Sequence, residues 1–283
     1  SYILGHAICD GYIDSVDSKL DDWPILETSL YENQKLIDLL NMAAGDQKYI
    51  FEFGEGGQIV VDDSYDYETK NIFTTLGFYL QNTEKSESRY NYNGFITQLL
   101  INYVRFKTGD DFKKLLNKIF QNKIKNEHAV HFYELRDPSE ELGISHPMIR
   151  TTRYDWLRLA KAIMDDYQND TCVGKYLKKI YEKRIPKNLL GLPTKGGKKY
   201  TEPEFNRTKS YGGQFHFDYP GLEDKVIFGL GGRGGQAILI DVENSRIVAI
   251  NSMHYNDGRN KYNVKKLLID PIKNGRKINW KLN

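Results

Sequence analysis

The period of the hydrophobic residues changes near residue 211, and this change constrains the fold more than any other feature of the 283-residue chain. Before it, apolar positions recur at helical spacing. Leu36, Ile37, Leu39, Leu40 and Met42 mark a helix over 32–44 that stops at Gly45. Phe95, Leu99, Leu100, Tyr103 and Val104 form the stripe of another over 93–106, closed by Thr108-Gly109. Asp110 or Asp111 is placed to cap the next helix, which reaches to about residue 120. Residues 1–9 read as the tail of a helix ended by Asp10-Gly11, and 67–80, 155–167 and 173–181 as further helices. The acidic stretch 62–66 and the polar stretch 81–88 are loops. After the change, 213–218 alternates and 225–230 forms a second strand. Two β-branched runs, 236–241 and 246–252, are joined as a hairpin through 242–245. Between the two regimes, 187–211 is rich in Gly, Lys and Pro and reads as a long surface loop. Helices followed by antiparallel strands argue for an α+β fold. It is expected as one domain over 1–283, with the helical middle at about 30–185 and the strands at about 211–255.

Charge and composition exclude several classes of function. Lys and Arg total 40 against 38 Asp and Glu, so a formal charge of +2 gives no electrostatic case for binding nucleic acid or an acidic membrane surface. No apolar run approaches the ~18 residues of a membrane span. The two cysteines, Cys9 and Cys172, form no C-x-x-C pair. One long-range bridge is an option, but two separate buried thiols are the expectation. His128 and His131 are the closest histidine pair, and without a third ligand they make no metal site.

Two glycine-rich stretches look like phosphate loops. Leu230-Gly-Gly-Arg-Gly-Gly-Gln236 runs into a strand, whereas a phosphate cradle needs a helix after the glycines. Gly191-Leu-Pro-Thr-Lys-Gly-Gly-Lys198 lacks the Gly-Lys-Ser/Thr ending at the required spacing. In the first stretch the glycines instead let a ligand approach the strand edge closely. Tyr92 stands at the predicted start of the 93–106 helix, where the positive end of the helix dipole favours a phenolate. With a neighbouring ammonium, such a tyrosine can act as a general base or proton relay.

Several segments, taken in chain order, resemble one family. Gly5-His-Ala-Ile-Cys-Asp-Gly-Tyr-Ile-Asp14 is similar to the end of a nucleophile-bearing helix, and Leu39-Leu-Asn-Met-Ala-Ala-Gly45 to a helix end of the form LLxMxSG. Tyr92-Asn-Gly-Phe-Ile-Thr-Gln-Leu-Leu100 with Thr108-Gly109 resembles a Tyr-x-Asn or Tyr-x-Ser motif before a helix with a closing TG; Tyr90 is out of register. Thr151-Thr-Arg-Tyr-Asp155 adds a further match, and residues 230–236 resemble an A-x-G-x-x-G-Q strand. Together these resemble the serine β-lactamase and penicillin-binding-protein superfamily, most nearly its class C and nylon-oligomer hydrolase or esterase branch.

The resemblance implies an antiparallel sheet flanked by helices with a mostly helical subdomain. It also implies a catalytic role for Tyr92. The strand edge at Gly232 and Arg233 would provide the oxyanion hole, with the Arg233 N–H as donor. Gly94, Leu230 and Gly231 would line the substrate pocket. Gly94 stands where the family has Asn or Ser, and Leu230 where lactamases keep a carboxylate-binding Lys. The family's nucleophile is a Ser in Ser-x-x-Lys, and no such motif occurs in the chain. The register puts it about seven residues before Ser1, so the first strands and the start of the nucleophile helix are expected upstream. No metal or organic cofactor is implied. The expected substrate is a small-molecule ester or amide, hydrolysed through an acyl-enzyme. The alternatives are a non-catalytic binding protein on the same fold, or a D,D-peptidase or β-lactamase.

Overall fold

The computed structural model describes residues 1–47, 72, 76, 80–135, 146–188, 208–232, 236–250 and 268–275. Its elements are helices and antiparallel strands, in the α+β order that the sequence predicts. The helices are α1 (Tyr2–Cys9), α2 (Leu36–Leu40), α3 (Gly94–Thr108), α4 (Phe112–Asn117), α5 (Arg153–Gln168), α6 (Cys172–Glu182) and α7 (Asp270–Asn274). Strands β1 (His131–Leu135) and β2 (His146–Arg150) pair as a hairpin, which the sequence reading did not anticipate. A six-stranded sheet runs in the order β3 (Ile185–Pro186), β4 (Ser210–Gly212), β5 (Phe215–Phe217), β6 (Ile227–Gly232), β7 (Gln236–Asp241) and β8 (Arg246–Ile250). Every neighbouring pair in it is antiparallel.

Alternation in β6, β7 and β8 sorts side chains onto two faces. Phe228, Ile240 and the half-buried Leu230, Ile238 and Ile247 join the main core with the helices. Ile227, Ala237, Leu239, Val248 and Ile250 face the other way, against Leu268, Ile269 and Ile272 at α7. Both faces of the sheet are therefore covered, because both registers of these strands are apolar. Arg246 fastens α7 by donating from Nη1 to the carbonyls of Ile272 (2.9 Å) and Lys273 (2.6 Å).

α1, α5 and α6 pack around one buried carboxylate. Asp166 accepts from Tyr2 Oη (2.5 Å), Lys123 Nζ (2.6 Å) and Thr171 Oγ1 (2.8 Å), tying three separate stretches of chain together. α1 crosses α6 so closely that a Cβ at Gly5 would lie 2.6 Å from Tyr176 Cδ1. Cys9, at the end of α1, and Cys172, at the start of α6, are joined by a disulfide with Cα atoms 5.8 Å apart. This corrects the expectation of two separate thiols. A separation of 163 residues gave the sequence no sign that the helix crossing brings these two ends together. Thr152 and Thr171 cap α5 and α6 through the N–H groups of Asp155 and Gly174. The Thr151–Asp155 match thus has a structural role: Asp155 also accepts from the backbone of Glu127 and His128.

Three further expectations change. The helix predicted over 32–44 is only Leu36–Leu40, because Met42 takes a positive φ of 55° and Asn41 turns its side chain to the carbonyl of Lys183 (2.8 Å). Gly45 lies beyond the helix end at φ 75°, where a Cβ would come within 2.6 Å of the Ser86 carbonyl. The 187–211 segment is not a surface loop at its described ends, since Lys187 and Thr208 are buried and Ser210–Gly212 is a sheet strand. The predicted loop at 62–66, most of the predicted helix at 67–80 and the 191–198 stretch lie outside the described residues. Among the described residues, no helix is long and apolar enough to cross a membrane.

A bridge closing so long a loop restricts the unfolded chain strongly, an effect of about 2–5 kcal/mol. Replacing Cys9 and Cys172 together with Ser should lower the melting temperature by about 4–20 °C. An unchanged melting temperature, measured by calorimetry against the oxidised parent, would show that the bridge does not constrain the chain.

Candidate functional site

Tyr92 is placed by the residue that follows it. Asn93 caps α3 by accepting the Ile96 N–H on its Oδ1 (2.9 Å), so the Tyr92 backbone enters the helix from an extended stretch. Asn93 is held in turn by a carboxylate. Asp46, fully buried, accepts from Asn93 Nδ2 (3.1 Å), Asn91 Nδ2 (2.9 Å) and Tyr31 Oη (2.8 Å). Burial pushes its carboxyl upward, and these three donors oppose the shift without cancelling it. Two backbone bonds and one side-chain bond hold the same two stretches together: Asn91 N–H donates to Met42 O (2.7 Å), Ser86 N–H to Gly45 O (2.8 Å) and the Ser88 hydroxyl to Ala43 O (2.7 Å). The 42–46 turn therefore acts as a mould for the chain entering α3.

The end of α2, just before this turn, also holds the β4–β5 hairpin. Gly213 N–H donates to Asn41 Oδ1 (3.0 Å), and Gln214 N–H to Leu40 O (2.9 Å). The Gln214 side chain then joins two helices, since its Nε2 donates to Thr97 Oγ1 in the first turns of α3 (3.0 Å) and its Oε1 meets the Ser1 amine at 3.4 Å, beside α1.

Rings link Tyr92 to the strands. Tyr92 and Tyr90 both pack on Tyr211 of β4, with centroids 6.1 and 5.1 Å away. Tyr211 meets the His216 ring of β5 at 5.1 Å, edge to face. His216 stands over β6, so that a Cβ at Gly231 would lie 3.9 Å from both its Nε2 and its Cδ2. Segments more than a hundred residues apart thus occupy one neighbourhood: Tyr92, the β4–β5 hairpin and the β6 edge. Gly94 is the first residue of α3 and is half-buried. Gly231 and Gly232 are exposed at the end of β6, whereas Leu230 packs partly buried against the main core. Arg233 lies outside the described residues.

Sequence reasoning missed Lys187, Thr208, Tyr211 and His216. The Lys187 ammonium is buried, donates to Thr208 Oγ1, and lies 2.9 Å from His216 Nδ1. It also stands over the Tyr90 and Tyr211 rings, 5.6 and 5.9 Å from their centroids. The alternation over 213–218 was legible as a strand; the structure keeps Phe215–Phe217 as one, with Gly213 and Gln214 forming the turn that precedes it at positive φ, and nothing in the pattern announced a lysine arriving from position 187. His128 lies elsewhere, 3.6 Å from Asp155 Oδ2, and His131 opens β1. Among the described residues, no group of three His, Cys, Asp or Glu converges as metal ligands.

No family model matches the sequence, and no curated protein matches it. Among solved structures, the chain is similar to a class C β-lactamase from Rhodobacter sphaeroides. That likeness has a TM-score of 0.49 at 13% identity and covers 89% of this chain and 77% of the other.

Asp46→Ala leaves three donors without their acceptor, and the loss of stability should be about 1–3 kcal/mol by urea unfolding. Asp46→Asn, which keeps one acceptor oxygen, should lose less. Wild-type stability in Asp46→Ala would show that the carboxylate does not hold the entry to α3.

Proposed function

We propose that this chain is the larger part of a serine hydrolase that cleaves a small ester or amide through an acyl-enzyme. The observation that carries the reading is the shared neighbourhood of Tyr92, the start of α1 and the β6 edge, which the motif resemblance requires and which sequence distance alone would not produce. In this reading a Ser from a Ser-x-x-Lys upstream of residue 1 attacks the carbonyl carbon. Its proton passes to the Lys and Tyr92, and the phenol then returns a proton to the leaving group. Gly232 and Arg233 at the strand edge would stabilise the oxyanion, Arg233 through its N–H. Gly94, Leu230 and Gly231 would border the substrate. With Leu230 where a lactamase has Lys, an ester or small amide suits the edge better than a β-lactam or peptide gripped by its carboxylate.

A second reading follows from Gly94, which lacks the side chain that would hydrogen-bond substrate at that position: a binding protein without chemistry. The two separate on the sequence upstream of residue 1 and on labelling. The 283-residue chain alone should take no fluorophosphonate, whereas a form extended through its own Ser-x-x-Lys should be labelled at that Ser. In the extended form, Tyr92→Phe should cut kcat on an activated ester by about 10²- to 10⁴-fold with little change in KM. Tyr90→Phe serves as the matched control. Equal small effects at both positions would make Tyr92 a packing residue, and an unlabelled extended chain would favour the binding protein.

A further inference from the structure

The chemistry of the Lys187–His216 pair is determined by which partner holds the proton. The lysine amine is the stronger base by about four pK units, so the proton belongs to it. An ammonium has donors and no lone pair, so at 2.9 Å His216 Nδ1 must accept. A neutral imidazole that accepts at Nδ1 carries its hydrogen on Nε2. That nitrogen is the one beside Gly231, on the exposed end of β6. Thr208, whose hydroxyl also receives the ammonium and lies 3.4 Å from Nδ1, and the two tyrosine rings under Nζ hold the lysine in place.

We infer that Lys187 locks His216 in its Nε2–H tautomer, and that His216 is a specificity residue whose fixed N–H donates to a carbonyl oxygen of an ester or amide lying along the Gly231–Gly232 edge. Burial first, and the lysine charge second, lower the His216 pKa to about 3, so the ring stays a neutral donor at neutral pH. The ammonium behind it polarises the ring and strengthens the N–H as a donor. Gly231 is suited to this arrangement because it has no side chain to occupy the space beside the ring. Lys187 is thus a positioning residue acting through His216. The ligand class rests on the proposed hydrolase, while the tautomer and the binding are independent of any nucleophile.

The test uses the chain as it stands, with ¹⁵N-labelled histidine and backbone amides at pH 7. The His216 signal, assigned among the six histidines by its loss in His216→Gln, should show a protonated Nε2 and an unprotonated Nδ1. Lys187→Arg, also a donor without a lone pair, should keep that tautomer, and Lys187→Met should lose the preference. If Lys187→Met does not fold, the parent and Lys187→Arg decide the point. Titration with N-methylacetamide should move His216 Nε2 and the Gly231 and Gly232 amides along one saturating curve. His216→Phe should weaken the amide shifts by about tenfold in affinity, and His216→Gln should restore them through its own N–H. A protonated Nδ1 in the parent, or shifts that do not saturate, would overturn the inference. If the extended chain takes no fluorophosphonate while these shifts persist, the hydrolase reading fails and the donor stands. If the extended chain is labelled and the shifts are missing, the donor fails and the hydrolase stands.

Discussion

The buried carboxylate of Asp46 is the interaction on which the arrangement of this site depends. A carboxyl group with no exposure is costly to bury, and it persists only where hydrogen-bond partners surround it. Here the donors are Tyr31, Asn91 and Asn93, and the last two flank Tyr92 in sequence. One requirement of electrostatics therefore fixes the conformation of the residue between them. Five residues earlier, Asn41 fixes the β4–β5 hairpin with both ends of its amide: its oxygen takes the Gly213 N–H and its nitrogen gives to Lys183. The short turn after α2 thus positions two parts of the site that are far apart in the chain.

The rest follows by packing. With the hairpin held, Tyr211 receives Tyr90 and Tyr92 on one side and His216 on the other, and His216 reaches β6. Lys187 enters from β3, whose pairing with β4 sets Ile185 opposite Tyr211. The disulfide ties α1 to α6, Tyr2 ties it to Asp166 of α5, and Gln214 links the Ser1 amine to Thr97, so the start of the chain stays beside α3.

Sequence pattern revealed the parts of this arrangement governed by local rules. Asn93 ahead of an apolar stripe is a helix start, Thr108-Gly109 is a helix end, and the runs 236–241 and 246–252 form a hairpin through 242–245; all three stand over the described residues, which end at Ile250 in the hairpin. The features it could not show depend on distant partners. Gly45 looked like a helix cap, but a turn at Met42 ends the helix earlier, because backbone groups there bond to 86–91 instead of to the next helical turn. Lys187 sat in a segment whose composition signals exposure, and only the tyrosine rings and His216 explain why it is buried. Cys9 and Cys172 meet only because two helices cross at Gly5. Tyr92 was singled out by register, and its position at the start of α3 beside Tyr211 is what the structure adds; its chemistry belongs to the proposal.

Tyr92 and the exposed end of β6 share one neighbourhood through Tyr211 and His216. Nuclear Overhauser contacts on a sample with selectively labelled tyrosine, histidine and glycine test it most directly. The expected result is a connected path from the Tyr92 ring to the Tyr211 ring, from Tyr211 to His216, and from His216 Hδ2 to the Gly231 α-protons. A Tyr92 ring with contacts only to α3 and none to Tyr211 would contradict it.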